Sequence, residues 1–245
     1  MSRFFTDASQ VDDQYIRITD KQDIKHMIKV LRLKEGDSVE ISDSASWEYT
    51  GIIDEIFDNE VVLRIADKQQ FEREPEIEVT LFQGIPKAGK METIVQKCVE
   101  LGVYAVVPVF MDRTVVVEKG NFSKKIDRWQ KVSDEAVKQC RRGKIPEIVK
   151  QKKFDEAVEM LKNFDLVIFP YENEKGYSIK DCLRSLEKKP KTVGIIVGPE
   201  GGFSDREVNA LDGIHAERVT LGKTILRTET AGMAALAMTM YELEL

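Results

Sequence analysis

The run GIIVGPEGGFSDREV, residues 194–208, sets one carboxylate, Glu200, among Gly198, Pro199, Gly201 and Gly202. The apolar residues before Gly198 read as a buried strand, and Ser204 with Glu207 forms the Ser-x-x-Glu capping box of a following helix. Such a loop stands beyond the C-terminal end of its strand, where open α/β sheets bind ligands, and its glycines let a ligand approach the backbone. A plain tight turn before a capped helix would give the same glycine pattern, so the unusual member is Glu200. A second run, VTLGKTILRTETAGMAALAMTMYELEL (residues 219–245), ends a strand at Gly222, passes through a mixed loop and enters a helix. Ala231 to Met238 in that helix are almost all apolar, so the helix is buried against its own core or a partner subunit. A third run, GIPKAGKM (residues 84–91), imitates a phosphate-binding loop but has Met91 where a Ser or Thr must ligate magnesium. Pro86 also removes a backbone N–H that phosphate would need, so a nucleoside triphosphatase is disfavoured. Without a G-x-G-x-x-G motif, a dinucleotide site has no support.

Composition narrows the partners. Cys98, Cys140 and Cys182 are far apart, form no C-x-x-C pair and stand with only two histidines, so no metal site is expected and the thiols read as reduced and buried. No apolar run reaches the ~20 residues of a membrane span, and the first residues lack a signal-peptide core, so a cytoplasmic protein is expected. The formal net charge is -6, whereas a chain held to nucleic acid by overall charge is usually basic. Any nucleic acid must therefore meet a local patch. Residues 113–153 supply one, with Lys124, Lys125, Arg128, Lys131, Lys138, Arg141, Arg142 and Lys144 among few carboxylates; a solvated helix face would look the same.

The elements that must position these residues change rhythm once. Residues 14–19, 37–43, 47–57 and 60–66 alternate as strands, with Asp58-Asn59 as a hairpin turn. Ile24, Met27, Ile28 and Leu31 line one face of a short helix between the first two. A small β-barrel with an inserted helix fits residues 1–70, and the polar stretch 67–76 with Pro75 reads as the linker. From residue 76 to 245, near-continuous apolar strands alternate with helices: EVTLFQGI, YAVVPVF, DLVIFP, TVGIIVG and ERVTLG. Strands apolar on both faces, separated by helices, form a mostly parallel sheet covered on both sides, an α/β domain. The helix after residue 90 places Met91, Ile94, Val95, Cys98 and Leu101 on one stripe and stops at Gly102; a long helix is expected over 122–141.

Together these residues resemble the SPOUT class of RNA methyltransferases, and within it the RsmE family. The resemblance rests on residues 26–37 (HMIKVLRLKEGD), 83–103 (QGIPKAGKMETIVQKCVELGV), 195–203 (IIVGPEGGF) and 221–231 (LGKTILRTETA) and spans nearly the whole chain. It implies a PUA-like RNA-binding domain over 1–70, a SPOUT methyltransferase domain with a deep C-terminal trefoil knot over 76–245, and a homodimer without metal. The implied reaction is methyl transfer from S-adenosylmethionine to N3 of a uridine in 16S ribosomal RNA of the 30S subunit. The sequence departs from the family at residues 136–146, where Lys138 replaces a Glu and Arg141 a Gly, while Gln139 and Arg142 match.

The resemblance assigns the cofactor to three loops: Phe169, Pro170, Tyr171 and Glu172; Gly198, Pro199, Glu200, Gly201 and Gly202; and Leu221, Gly222, Ile225, Leu226 and Arg227. Leu221, Ile225 and Leu226 are expected to sandwich adenine. A uracil N3–H is a poor nucleophile until its proton leaves, so the enzyme must remove the proton or stabilise the resulting anion. Arg142, Arg227 and Lys90 are candidates for the second task. Glu200 or Glu229 is a candidate base if burial raises its pKa, and either can instead be structural. Arg3, Lys25, Lys29, Arg32, Lys87, Arg141 and Arg142 are expected to contact RNA. Of the adjacent aromatics Phe4 and Phe5, which can stack on a base, one is expected to be buried. A SPOUT enzyme acting on a ribose 2′-hydroxyl, and a non-catalytic RNA-binding assembly factor, are the competing readings.

Overall fold

Alternating apolar residues in the first third of the chain drive one side of each strand into a common core, which a computed structural model describes for residues 2–117 and 122–244. Met1, residues 118–121 and Leu245 lie outside the described residues. The chain divides into two compact units: residues 1–74 with 137–145, and residues 75–136 with 146–245.

In the first unit, β1 (Arg3–Phe5), β2 (Tyr15–Ile18), β3 (Ser38–Ser42), β4 (Trp47–Ile56) and β5 (Val61–Gln70) form a sheet in the order β1-β3-β4-β5-β2. β1 runs parallel to β3 and the other pairs are antiparallel. The sheet order leaves β1 and β2 at its edges, which approach each other where the Thr6 hydroxyl donates to the Arg17 carbonyl at 3.3 Å. Phe4, Ile16, Met27, Val39, Ile41 and Leu63 fill the core. The inserted helix α1 (Lys21–Lys25) is capped by Asp20 and continues as a π-helical turn, His26–Val30, closed by the Leu31 N–H donating to the His26 carbonyl. Arg32 then takes a positive φ of 57° and ends it. The expected linker is shorter than its composition suggests, because residues 67–70 pair with β4 and only 71–77 remain irregular.

A further element joins this unit from a distance. Residues 137–145 pack within it, although the expected boundary placed them in the second domain. The Ser42 hydroxyl donates to the Gly143 carbonyl at 2.5 Å, and Lys138 pairs with Asp23 at 3.2 Å. A Cβ on Gly143 would stand 2.4 Å from the Phe71 ring, so only glycine fits there.

In the second unit, β6 (Glu78–Gly84), β7 (Ala105–Phe110), β8 (Glu147–Ile148), β9 (Lys152–Lys153), β10 (Leu166–Pro170), β11 (Thr192–Val197) and β12 (Glu217–Val219) form a wholly parallel sheet, ordered β12-β10-β11-β6-β7-β8 with β9 also on β7. Pro108 is tolerated within β7 because it lies between the residues that pair with β8 and those that pair with β9. Helices α2 (Lys90–Glu100), α3 (Ser123–Cys140), α4 (Phe154–Leu161), α5 (Ile179–Arg184), α6 (Asp205–Gly213) and α7 (Thr228–Glu244) supply the remaining elements, α3 passing into the first unit at residue 137. Met91, Ile94, Val95 and Cys98 bury the α2 stripe as expected, but Leu101 falls beyond the helix end and is exposed. Gly102 adopts φ +92° there, the stop read from the sequence. Cys98 and Cys182 are buried as expected, whereas Cys140 is only half-buried. Among the described residues no helix is long and apolar enough to cross a membrane.

Candidate active site

Parallel strands aim their C-terminal ends at one edge of the sheet, and the loops leaving β10, β11 and β12 converge there. They enclose a cavity of about 1020 Å³ lined by residues 197–203 and 220–228, with Pro170, Tyr171, Glu172 and Lys90. Of the cofactor residues expected from the sequence, all but Phe169 line it. Phe169 is fully buried and meets Phe203 edge-on at 5.9 Å, so it supports the wall from behind, a correction to its expected role.

The loop after β11 is gripped on every side. Its Ser204 and Glu207 form the expected capping box of α6, and buried Glu207 also accepts the Asp112 N–H at 2.8 Å. Arg113 donates to the Gly201 carbonyl at 2.9 Å. Gly84 at the end of β6 lets two backbones touch: a Cβ there would stand 2.6 Å from Pro199 N and 2.8 Å from Gly198 C. Gly202 has φ +66°, and a Cβ there would meet Glu172 Oε1 at 2.8 Å. Gly222 has φ +145°, and a Cβ on it would meet nothing within 4 Å.

The GIPKAGK segment is therefore a latch on this loop. Glu200 Oε1 accepts the Lys87 backbone N–H at 3.0 Å and the Lys90 ammonium at 3.0 Å. Lys90 Nζ also lies 3.2 Å from Glu229 Oε2 and pairs charges with it. The bonds from Glu200 and Glu229 push the Lys90 pKa above its ordinary value. Burial raises the Glu200 carboxyl, but Lys90 and the backbone N–H groups outweigh it and hold the pKa below the ordinary range. The condition on which Glu200 would act as a base is thus absent.

Residues 72–240 match the model of an RNA methyltransferase domain, and residues 18–66 that of an RNA methyltransferase PUA domain. A ribosomal RNA small subunit methyltransferase E from Buchnera aphidicola subsp. Schizaphis graminum is 32% identical over 85% of this chain and 83% of its own length. The chain belongs to the ribosomal RNA small subunit methyltransferase E family. The family member from Bacillus subtilis is 29% identical across 100% of this chain and 98% of its own. The Neisseria gonorrhoeae member, whose structure was solved bound to S-adenosyl methionine, superposes with a TM-score of 0.84 at 26% identity, covering 98% of this chain and 97% of that one.

Two of the residues expected to contact RNA are buried, Arg3 and Arg142. Arg3 is buried, its guanidinium 3.1 Å from Glu48 of β4. Arg142 is also buried and sits in the first unit, where Nη2 meets Glu74 Oε2 at 2.8 Å and Nε lies 3.3 Å from the same oxygen. Glu74 Oε1 further accepts the Gly143 and Lys144 N–H groups, so the pair ties residues 137–145 to the end of the linker. Lys25, Lys29, Arg32, Lys87 and Arg141 are exposed, as are Lys124, Lys125, Arg128 and Lys131 on α3. Phe4 is buried and Phe5 half-buried, the division expected of that pair. Among the residues at the site that the sequence reading missed are Gln83 and Thr228. Gln83 does leave a trace, a polar side chain in the otherwise apolar end of β6.

Proposed function

We propose that this protein is a cytoplasmic S-adenosylmethionine-dependent methyltransferase that acts on N3 of a uridine in 16S ribosomal RNA. The observation that carries the reading is the cavity, with the loops after β10, β11 and β12 converging on it. Its size suits a cofactor of that class, and the glycines of its loops keep side chains out of the space a ligand would fill. Pro170 to Glu172, Gly198 to Gly202 and Leu221 to Arg227 would hold the cofactor, which supplies an electrophilic methyl group on a sulfonium. Ile225, 81% exposed on the cavity wall, would be covered by an adenine ring laid against it. The knotted threading of these loops belongs to the same proposal.

The chain's own residues have two tasks. They align the acceptor base, which can lower the barrier by about 7–11 kcal/mol. They also manage the N3 proton. Lys90, kept protonated by its two carboxylates, is the cation that stabilises the uracil anion, with Arg227 as a second on the same cavity wall. Glu229, ion-paired with Lys90 at 3.2 Å, is the remaining candidate proton acceptor, because Glu200 holds the latch through the Lys87 N–H and Lys90. Exposed Lys25, Lys29, Arg32, Lys87 and Arg141 supply phosphate contacts. The outer face of α7, with Met238 and Tyr241 exposed, supports a homodimer. The test is transfer of labelled methyl groups to ribosomal RNA and to 30S subunits from cells lacking this protein. Label in the 16S strand supports the reading; no label in any RNA, with no cofactor binding, sinks it in favour of an RNA-binding assembly factor.

A further inference from the structure

Gln83 is fully buried at the end of β6, and its amide is spent on the site's backbone. Nε2 donates to the Gly84 carbonyl at 3.0 Å and to Thr228 Oγ1 at 2.9 Å. The Thr228 hydroxyl, itself buried, donates to the Gly198 carbonyl at 2.6 Å. This chain of bonds joins the strand behind the latch, the first residue of α7 and the first glycine of the loop after β11. Both Gly198 and Thr228 line the cavity. Gly232 makes room for the amide, since a Cβ there would lie 3.0 Å from Gln83 Oε1. That Oε1 is buried without a hydrogen-bond partner.

A buried amide with an orphaned carbonyl is a poor choice for stability, because an apolar side chain of similar size would avoid the desolvation. Its two donors are what the site requires. We infer that Gln83 and Thr228 are positioning residues: a polar strut that sets the distance between the 198–202 loop and the 221–228 loop, and so the affinity of the cavity for S-adenosylmethionine. This rests on the cofactor reading above. None of the strut's hydrogen bonds is made to Lys25, Lys29, Arg32, Lys87 or Arg141, the residues proposed to meet RNA.

The test uses the full chain and calorimetric binding of S-adenosylmethionine without RNA, beside the ligand-free melting temperature and RNA affinity. Thr228→Val keeps the shape and loses the hydroxyl, and is expected to weaken cofactor binding about ten-fold. Thr228→Ser restores the hydroxyl and is expected to stay within about three-fold of the parent, a rescue that a volume effect would not give. Gln83→Leu is expected to weaken the cofactor about ten-fold while the ligand-free protein melts at or above the parent temperature and binds RNA unchanged. Parent-like affinity in Thr228→Val or Gln83→Leu, or equal losses in the Val and Ser variants, would overturn the strut. A parent protein that binds no S-adenosylmethionine would overturn the cofactor reading instead, and the strut's role with it.

Discussion

Replacing Gly84 by alanine tests how tightly the candidate site is built. The added Cβ would stand 2.6 Å from Pro199 N and 2.8 Å from Gly198 C, both backbone atoms, where ordinary contact begins at 3.4 Å. No rotamer change can relieve the overlap, so the loop after β11 must move by roughly 0.8 Å or β6 must bend. Misplacement of reacting groups by about 1 Å can cost on the order of 10²-fold in rate. Gly84→Ala is therefore expected to lower methyl transfer by about that factor, weaken S-adenosylmethionine binding and destabilise the fold by about 1–3 kcal/mol through overpacking. Gly213→Ala is the control, because a Cβ there meets nothing within 4 Å. Calorimetry with the cofactor, a urea titration and the labelled-methyl assay read these three quantities. Gly84→Ala with parent affinity and rate would show that the contact between β6 and the Gly-Pro-Glu-Gly-Gly loop does not shape the cavity.

Other expectations follow from the charged cluster and the surface. Lys90→Met should lower kcat by roughly 10²–10³-fold, with cofactor affinity little changed, if its ammonium stabilises the uracil anion; a change confined to cofactor affinity refutes that role. Glu200 has a depressed pKa in the folded protein, so its contribution to stability is present above its ordinary value and is lost as pH falls through the folded one. Glu200→Gln should therefore flatten the acid limb of stability, read by urea unfolding between about pH 3 and 6; an unaltered limb would count against the latch. Lys25→Glu with Lys29→Glu should weaken RNA binding and reduce its salt slope by about one per lost phosphate contact, leaving cofactor binding intact.

Much of the site was legible because it obeys local rules. The capping box of Ser204 and Glu207, the apolar strands and the glycine clusters at their ends each announce themselves within a few residues. What sequence reasoning missed depends on long-range pairing. β1, β8 and β9 are two or three residues long and owe their pairing to neighbours already in place. The return of residues 137–145 to the first unit rests on Glu74 and Arg142, which no local pattern links. Arg3 and Arg142 looked like RNA contacts by type, yet burial with a carboxylate took both out of solvent. The π-helical turn at His26–Val30 shares its apolar spacing with an ordinary helix. The latch was read as a broken phosphate loop because its partners, Glu200 and Glu229, lie more than a hundred residues away.

The central claim is that the cavity presents a methyl donor to N3 of a uridine. Nucleoside analysis of 16S RNA labelled by this protein in 30S subunits tests it most directly. Label recovered as 3-methyluridine is the expected result. Label recovered as a 2′-O-methylated nucleoside would contradict it, keeping the fold and the cofactor but moving the acceptor to the ribose.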